Sequence, residues 1–376
     1  MAAPLKSRSR MAKVLLPGII LQSVLIGGGF ATGREIVEYG GRFGASGWIS
    51  GLAIFVGFSF LAMLTFEACR QWHVYDYKSL LKKLIGKGWA AYEASYLVLG
   101  IIIIAVMASA AGEILHNTLG FNVWVGIVLI IALVGFLNYM GEGFIATMKT
   151  IGTVALFGAY TIFGVLVFAN RPHHILEVFS RWDTSFLPAP PGTLALAWTG
   201  ITYVGYNLAV YPASFFTLKN LQSKKESIAA GLVAGLLMTI PWFLTYVALM
   251  AYYPNTEVLG ASVPWLKMLA PFGPTYVAIF GVVVGWTLVE TATGIIHAFI
   301  GRIDAEVLQK RGQHLAGRRK ALISLVALVA AMCLARVGII DLIAKGYTYM
   351  AYAMILFYGL PLLLASRKLL FGKGPA

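Results

Sequence analysis

The sequence is a succession of apolar runs, near 12–40, 46–69, 90–116, 122–140, 143–169, 193–218, 226–252, 274–302, 319–336 and 344–365, divided by short segments that hold most of the charged residues. About 20 apolar residues in a helix cross the roughly 30 Å hydrocarbon core of a bilayer, so each run reads as one crossing. Ten crossings occupy 376 residues with short loops and leave no separate soluble domain. Only 12% of the residues are charged, against about 25% in soluble domains, which excludes a soluble globular protein. The expected fold is an all-α polytopic membrane protein of about ten transmembrane helices, one transmembrane domain over residues 1–376. Arg336, Asp341 and Lys345 crowd the junction of the last two runs, where an additional short helix fits.

The formal net charge of +14 gains its meaning from where the basic residues fall. Lys6, Arg8, Arg10 and Lys13 precede the first run, and Arg70, Lys78, Lys82, Lys83 and Lys87 follow the second. Lys219, Lys224 and Lys225 follow the sixth, a cluster from Arg302 to Lys320 follows the eighth, and Arg367, Lys368 and Lys373 follow the last. Lys and Arg accumulate in cytoplasmic loops, so this alternation places both termini in the cytoplasm and requires an even number of crossings. The charge is a topology signal, and nucleic acid is not an expected partner. The basic start before an apolar stretch also resembles a secretory signal peptide, but the run continues without a break in polarity into Phe30-Ala31-Thr32-Gly33, as a retained first helix does. Cys69 and Cys333 are far apart in apolar surroundings and offer neither a disulfide framework nor a metal-ligand spacing. Tyr77, Leu80, Leu81, Leu84 and Ile85 share one stripe of a short amphipathic helix over 75–85. Ser262 to Ala270, bracketed by Pro254, Pro264 and Pro271, reads as a short helix suited to an outer lid.

Gly27-Gly28-Gly29 stands in the middle of the first run. Each glycine costs a helix about 1 kcal/mol relative to alanine, so three together predict an unwound segment. In hydrocarbon the freed N–H and C=O groups need partners, which confines such a break to a protein-lined cavity. A solute or ion can supply those partners, with a half-helix beginning near Phe30 pointing its positive end at an anionic group. Glycines that serve only close packing recur four apart, whereas these are consecutive. The sixth run carries a second irregularity, Gly200-Ile201-Thr202-Tyr203-Val204-Gly205-Tyr206-Asn207 followed by Tyr211-Pro212. Interrupted helices at corresponding positions of two halves point to repeated halves with a site between them. Five crossings per half make the second repeat inverted, with repeat one near 12–169 and repeat two near 193–366.

These residues resemble the amino acid-polyamine-organocation superfamily of LeuT-like fold, which includes the neurotransmitter:sodium symporters, with five-plus-five helices of which the first and sixth are discontinuous. The run from Gly27 to Gly41, Gly-Gly-Gly-Phe-Ala-Thr-Gly-Arg-Glu-Ile-Val-Glu-Tyr-Gly-Gly, is similar to YkvI-type bacterial membrane proteins. The resemblance implies alternating-access transport of amino acids or similar solutes across the bacterial cytoplasmic (inner) membrane, driven by sodium or protons. It implies substrate contacts at Gly27, Gly28, Gly29, Phe30, Ala31 and Thr32, opposed by Tyr203, Gly205, Tyr206 and Asn207, and an outer-gate arginine at Arg34. The eighth helix of the family supplies hydroxyls to a sodium site beside the first break, which implies sodium at Gly27 and Thr293.

Charged residues inside a membrane are expensive and mark functional positions until a partner is found. Glu290 is the foremost of them, in the eighth run beside Thr291 and Thr293. A carboxylate among hydroxyls suits a hard cation such as sodium, and a carboxyl group also suits a proton; a structural pairing with Lys345 is the other reading. Glu67 is expected to hold backbone amides or a cytoplasmic cation. Lys149 either snorkels to the inner face or takes the ion position of lysine-bearing proton-coupled relatives. Glu35 and Glu38 either pair with Arg34 or Arg42 or line the outer vestibule.

The resulting expectation is a secondary active transporter of a small amino acid-like or amine solute, with no cofactor beyond a sodium ion. Membrane lipid is its surroundings, and its state is a monomer or weak homo-oligomer. A solute sensor of the same fold that does not translocate, and a passive channel, are the alternatives. An enzyme is not expected, because the sequence has no clustered metal ligands, nucleophile elbow or P-loop.

Overall fold

The computed structural model describes the backbone of residues 10–140 and 142–371, and leaves out the side-chain surroundings of residues 10, 28, 139–154 and 371. Lys6, Arg8, Arg10, Lys149 and Lys373 therefore fall outside the described side chains. Among the described residues every regular element is helical. In chain order they are α1 (Arg10–Leu25), α2 (Gly28–Thr32), α3 (Arg34–Tyr39), α4 (Trp48–Trp72), α5 (Tyr77–Ile85), α6 (Trp89–Leu119), α7 (Val123–Met140), α8 (Glu142–Asn170) and α9 (Pro172–Ser180). There follow α10 (Thr193–Asn207), α11 (Lys224–Met250), α12 (Thr256–Leu259), α13 (Pro264–Leu269), α14 (Pro274–Arg311), α15 (Gly317–Leu334), α16 (Ile339–Asp341), α17 (Thr348–Met354) and α18 (Leu360–Phe371). Among the described residues 6 helices are long and apolar enough to cross a membrane, and shorter apolar helices cover Met11–Leu25 and Val123–Asn138.

The two long helices α4 and α11 meet at backbone distance because their contact is lined by small residues. A Cβ on Gly231 would overlap the Met63 backbone, and one on Gly235 would overlap Ser59. This Gly-x-x-x-Gly pair is spaced for packing, unlike the consecutive glycines of the first run. α1 joins the same layer, its Gly18 lying against Ala234 of α11. The stripe expected on 75–85 forms α5, which starts on the Asp76 side chain accepting from Ser79 N at 2.8 Å. Leu80 and Leu81 of that stripe are fully buried. α13 forms within the expected 262–270 segment, and with α12 it seals one end of the bundle by burying Val258, Leu259, Trp265, Leu266, Met268 and Leu269.

The first run is broken twice. Of the three glycines expected to unwind, Gly27 leaves helical geometry at φ −101°, ψ −169°, whereas Gly28 and Gly29 are helical within α2, which runs only from Gly28 to Thr32. Gly33 adopts φ +83°, a left-handed conformation that glycine reaches at no steric cost. The half-helix expected to start near Phe30 is therefore two helices of 5 and 6 residues, which shortens the aligned run of peptide dipoles. The second break is also displaced. Tyr203 to Asn207 remain α-helical, and a 3-10 segment replaces the α-helix from Leu208 to Asn220. Pro212 explains the position, since it lacks an N–H and its ring crowds the carbonyl four residues back, that of Leu208. Gly200 and Gly205 are packing glycines: a Cβ on the first would overlap Ser50 O, and on the second would stand 2.8 Å from Ile355 Cδ1. The crowded junction before 345 holds the extra short helix α16, followed by π-helical turns at Leu342–Tyr347 and Ile355–Gly359.

Candidate functional site

The broken segment at Gly27 and α2 has two different environments, a cavity toward α14 beside Gly27 and a buried carboxylate among tyrosines toward α3 and α10. On the first side Gly27 faces Thr291, whose Cγ2 would lie 3.0 Å from an added Cβ. Beside it is a cavity of about 30 Å³ lined by Ser23, Ile26, Leu156, Phe157, Thr287, Glu290 and Thr291, room enough for a water-sized occupant. The hydroxyls around it donate along their own helices: Ser23 to Ile20 O at 2.8 Å, Thr287 to Val283 O at 2.9 Å and Thr291 to Thr287 O at 2.8 Å. A hydroxyl whose proton is so engaged presents only lone pairs elsewhere, which suits a cation. Thr287, Glu290 and Thr291 share the helical face given by spacings of three and four. Thr293, one turn beyond Glu290, is buried and donates to Val289 O at 2.7 Å without lining the cavity. Of the pair Gly27 and Thr293 expected for sodium, Gly27 lies against Thr291 instead of Thr293.

The carbonyls of α2 are held by a tyrosine of α8. Tyr160 of α8 donates its hydroxyl to the carbonyls of Ala31 and Phe30, and its ring lies 6.4 Å from that of Phe30. Thr32 donates to Gly29 O at 2.7 Å and accepts from Arg34 N at 3.2 Å, so its hydroxyl caps α3 rather than facing a ligand. Gly29 leaves no room for a Cβ because Glu35 Oε1 lies over it. Glu35 Oε2 in turn accepts from Tyr206 OH at 2.7 Å. Around this carboxylate the rings of Tyr39, Tyr203, Tyr206 and Tyr347 touch one another, with centroids 5.3 Å apart for Tyr39 and Tyr203 and 4.6 Å for Tyr206 and Tyr347. Asn207 is engaged by its own helix, donating to Tyr203 O at 2.9 Å. Gly28 opens α2, with its surroundings outside the description.

Arg34 faces the sealed end. Its Nη1 donates to Leu259 O at 2.7 Å and Ala261 O at 3.3 Å, and its Nη2 reaches Glu38 at 3.2 Å. Arg42 pairs with the other oxygen of Glu38. Arg34 therefore ties the α12–α13 segment to α3, and Trp265 of that segment packs edge-on against Tyr160 with centroids 5.3 Å apart. Lys345 is exposed and paired with Asp341 at 2.8 Å, so the Lys345 pairing considered for Glu290 is not made.

Sequence reasoning did not single out Tyr39, Tyr160, Ser23 or Thr287, and it left Glu35 undecided. A signal for Glu35 was present. Glu38 has Arg34 and Arg42 four residues to either side, whereas Glu35 has Ala31 and Tyr39. Helical ion pairs form at that spacing, so only Glu38 was provided with local cations.

No protein-family model matches the chain. It is similar to the uncharacterized membrane protein YkvI of Bacillus subtilis (strain 168), at 22% identity over 342 residues that cover 89% of this chain and 91% of that protein. Among solved structures it is similar to a substrate-bound, outward-open Na+-coupled sialic acid symporter, with a TM-score of 0.53 and 13% identity over 93% of this chain and 84% of that one. It is also similar to the manganese transporter of Eremococcus coleocola, with a TM-score of 0.50 and 12% identity over 100% of this chain and 91% of that one. At these identities the likeness is one of fold, and both neighbours are transporters, not enzymes. The chain is a helical membrane protein with the architecture of those transporters.

Proposed function

We propose that this protein is a secondary active transporter that carries a small amino acid-like or amine solute by alternating access, coupled to a sodium or proton gradient. It crosses the bacterial cytoplasmic membrane ten times in a five-plus-five inverted repeat, with both termini inside. The observation that carries this reading is the double break of the first crossing, placed against the cavity on α14 where hydroxyl and carboxylate oxygens gather. Broken backbone at membrane depth persists where it lines a site, and oxygen ligands around a space of that size suit one small cation. Two transporter neighbours of the same architecture agree with it. The cation site comprises Ser23, Thr287, Glu290 and Thr291, and the solute site lies against α2, α3 and α10.

The test is uptake into proteoliposomes across a panel of amino acids and amines, with a sodium gradient and a proton gradient imposed separately. Gradient-driven accumulation of one solute is expected, abolished by the matching ionophore. Loss of the sodium response in Thr291→Val assigns sodium to the α14 cavity, and loss of the proton response in Glu290→Gln assigns protons. Ligand binding without flux under either gradient refutes transport and leaves a sensor of the same fold.

A further inference from the structure

Glu35 is 6% exposed and, among the described residues, no Lys, Arg or His forms an ion pair with it. The other deeply buried acids differ: Glu67 is held by Arg70 and Asp304 by Lys320. A carboxylate withdrawn from water without a cation is costly. Here the arrangement is built to keep it. Gly29 leaves its Cβ position to Glu35 Oε1, and Tyr206 fixes Oε2 at 2.7 Å. The walls are the rings of Tyr39, Tyr203, Tyr206 and Tyr347, and ring faces attract organic cations. The hydroxyl of Tyr203, fully buried in the same cluster, makes no hydrogen bond among the described residues, so the cluster holds a second polar atom left for a ligand. These groups come from α3, from α10 and from the π-turn at Leu342–Tyr347, three separate segments of the chain.

Taking the transporter reading as given, we infer that Glu35 and its tyrosine cage bind the positively charged ammonium group of the solute, so that cargo without such a group is rejected. The solute's ammonium and the coupling cation then occupy the two environments of the broken segment, the first at Glu35 and the second at the cavity beside Thr291. Gly29 of α2 lies against the first, and Gly27, which caps α2, lies against Thr291 of the second.

The experiment is thermal stabilisation of the purified full-length protein by matched probes: alanine, ethylamine and propionate; phenylalanine, phenethylamine and phenylpropionate; and tetramethylammonium. A ligand that binds the folded state raises its apparent stability with concentration. At least one ammonium compound is expected to stabilise the protein and neither carboxylate-only probe to do so. Glu35→Gln keeps the shape of the side chain and is expected to weaken that binding about thirtyfold or more, the effect of removing one partner of a buried charge pair. Tyr203→Phe, which deletes a hydroxyl without a partner and leaves Glu35 in place, checks the cage in a variant expected to fold, and should weaken the same ligand severalfold. Stabilisation by propionate or phenylpropionate alone, by no ammonium compound, or equally in wild type and Glu35→Gln overturns the inference. So does an Glu35→Gln protein whose ammonium affinity is intact and whose pH dependence alone has changed, which makes Glu35 a proton carrier. Flux of an uncharged or anionic solute that Glu35→Gln leaves untouched refutes the inference and spares transport. Ammonium binding that needs Glu35 but yields no flux does the reverse.

Discussion

Two glutamates withdrawn from water in this protein are treated in opposite ways. Glu67, 0% exposed near the end of α4, accepts from Arg70 Nε at 2.8 Å, from Arg70 Nη2 at 2.6 Å and from Gln71 at 2.7 Å. Gln71 also donates to Leu369 O at 2.8 Å, so the cluster ties α4 to α18. Glu35 receives one neutral hydroxyl and a tyrosine wall. A bidentate guanidinium satisfies a carboxylate with strong, directional bonds, and such a group holds structure together. A carboxylate given a single neutral donor contributes little to the fold and retains capacity for a cation brought from outside. The contrast separates architecture from site more sharply than burial, which the two residues share.

The contrast fixes an order of stability effects, each read as the midpoint of unfolding in detergent. Glu67→Ala leaves the Arg70 guanidinium and the Gln71 amide without their acceptor, and removing one member of a buried pair costs about 3–5 kcal/mol. Arg70 remains partly exposed and can turn to water, so the lower end, about 3 kcal/mol, is expected. Gly29→Ala forces Glu35 out of its place and is expected to cost about 1–3 kcal/mol, as overpacking does. Arg34→Lys keeps the charge but gives up the planar fork that serves two carbonyls of the α12–α13 segment and Glu38 together. The expected loss is about 1 kcal/mol, with faster limited proteolysis within the α12–α13 segment. Glu35→Gln stands last, within about 1 kcal/mol of wild type, because it exchanges a charge without a cation for a neutral amide. A loss at Glu35 equal to that at Glu67 would erase the distinction between the two residues.

How much of this could be read from sequence depends on which physical term decides each feature. The break at Gly27 was legible because glycine's low helix propensity is local, whereas the helical state of Gly28 and Gly29 in α2 was not. Nor was the break at Gly33, since its left-handed backbone accompanies a close approach to Trp265 of α13, 2.9 Å from an added Cβ. In the sixth run Gly200 and Gly205 looked like helix breakers because their use, contact with Ser50 and Ile355, is tertiary. Pro212, whose effect is local, sets the real position. Thr291 and Thr293 are separated by the rotation of α14 about its axis, which composition does not reveal. Glu35 was distinguishable from Glu38 by the arginines at four-residue spacing, but its tyrosine cage comes from three distant segments.

The most direct measurement is uptake into proteoliposomes by Glu35→Gln and Glu67→Gln side by side, normalised to folded protein. The account predicts that Glu35→Gln unfolds near the wild-type midpoint and transports little, while Glu67→Gln unfolds early and transports at the wild-type rate per folded molecule. Wild-type uptake by Glu35→Gln, or uptake lost in Glu67→Gln molecules that remain folded, would contradict it.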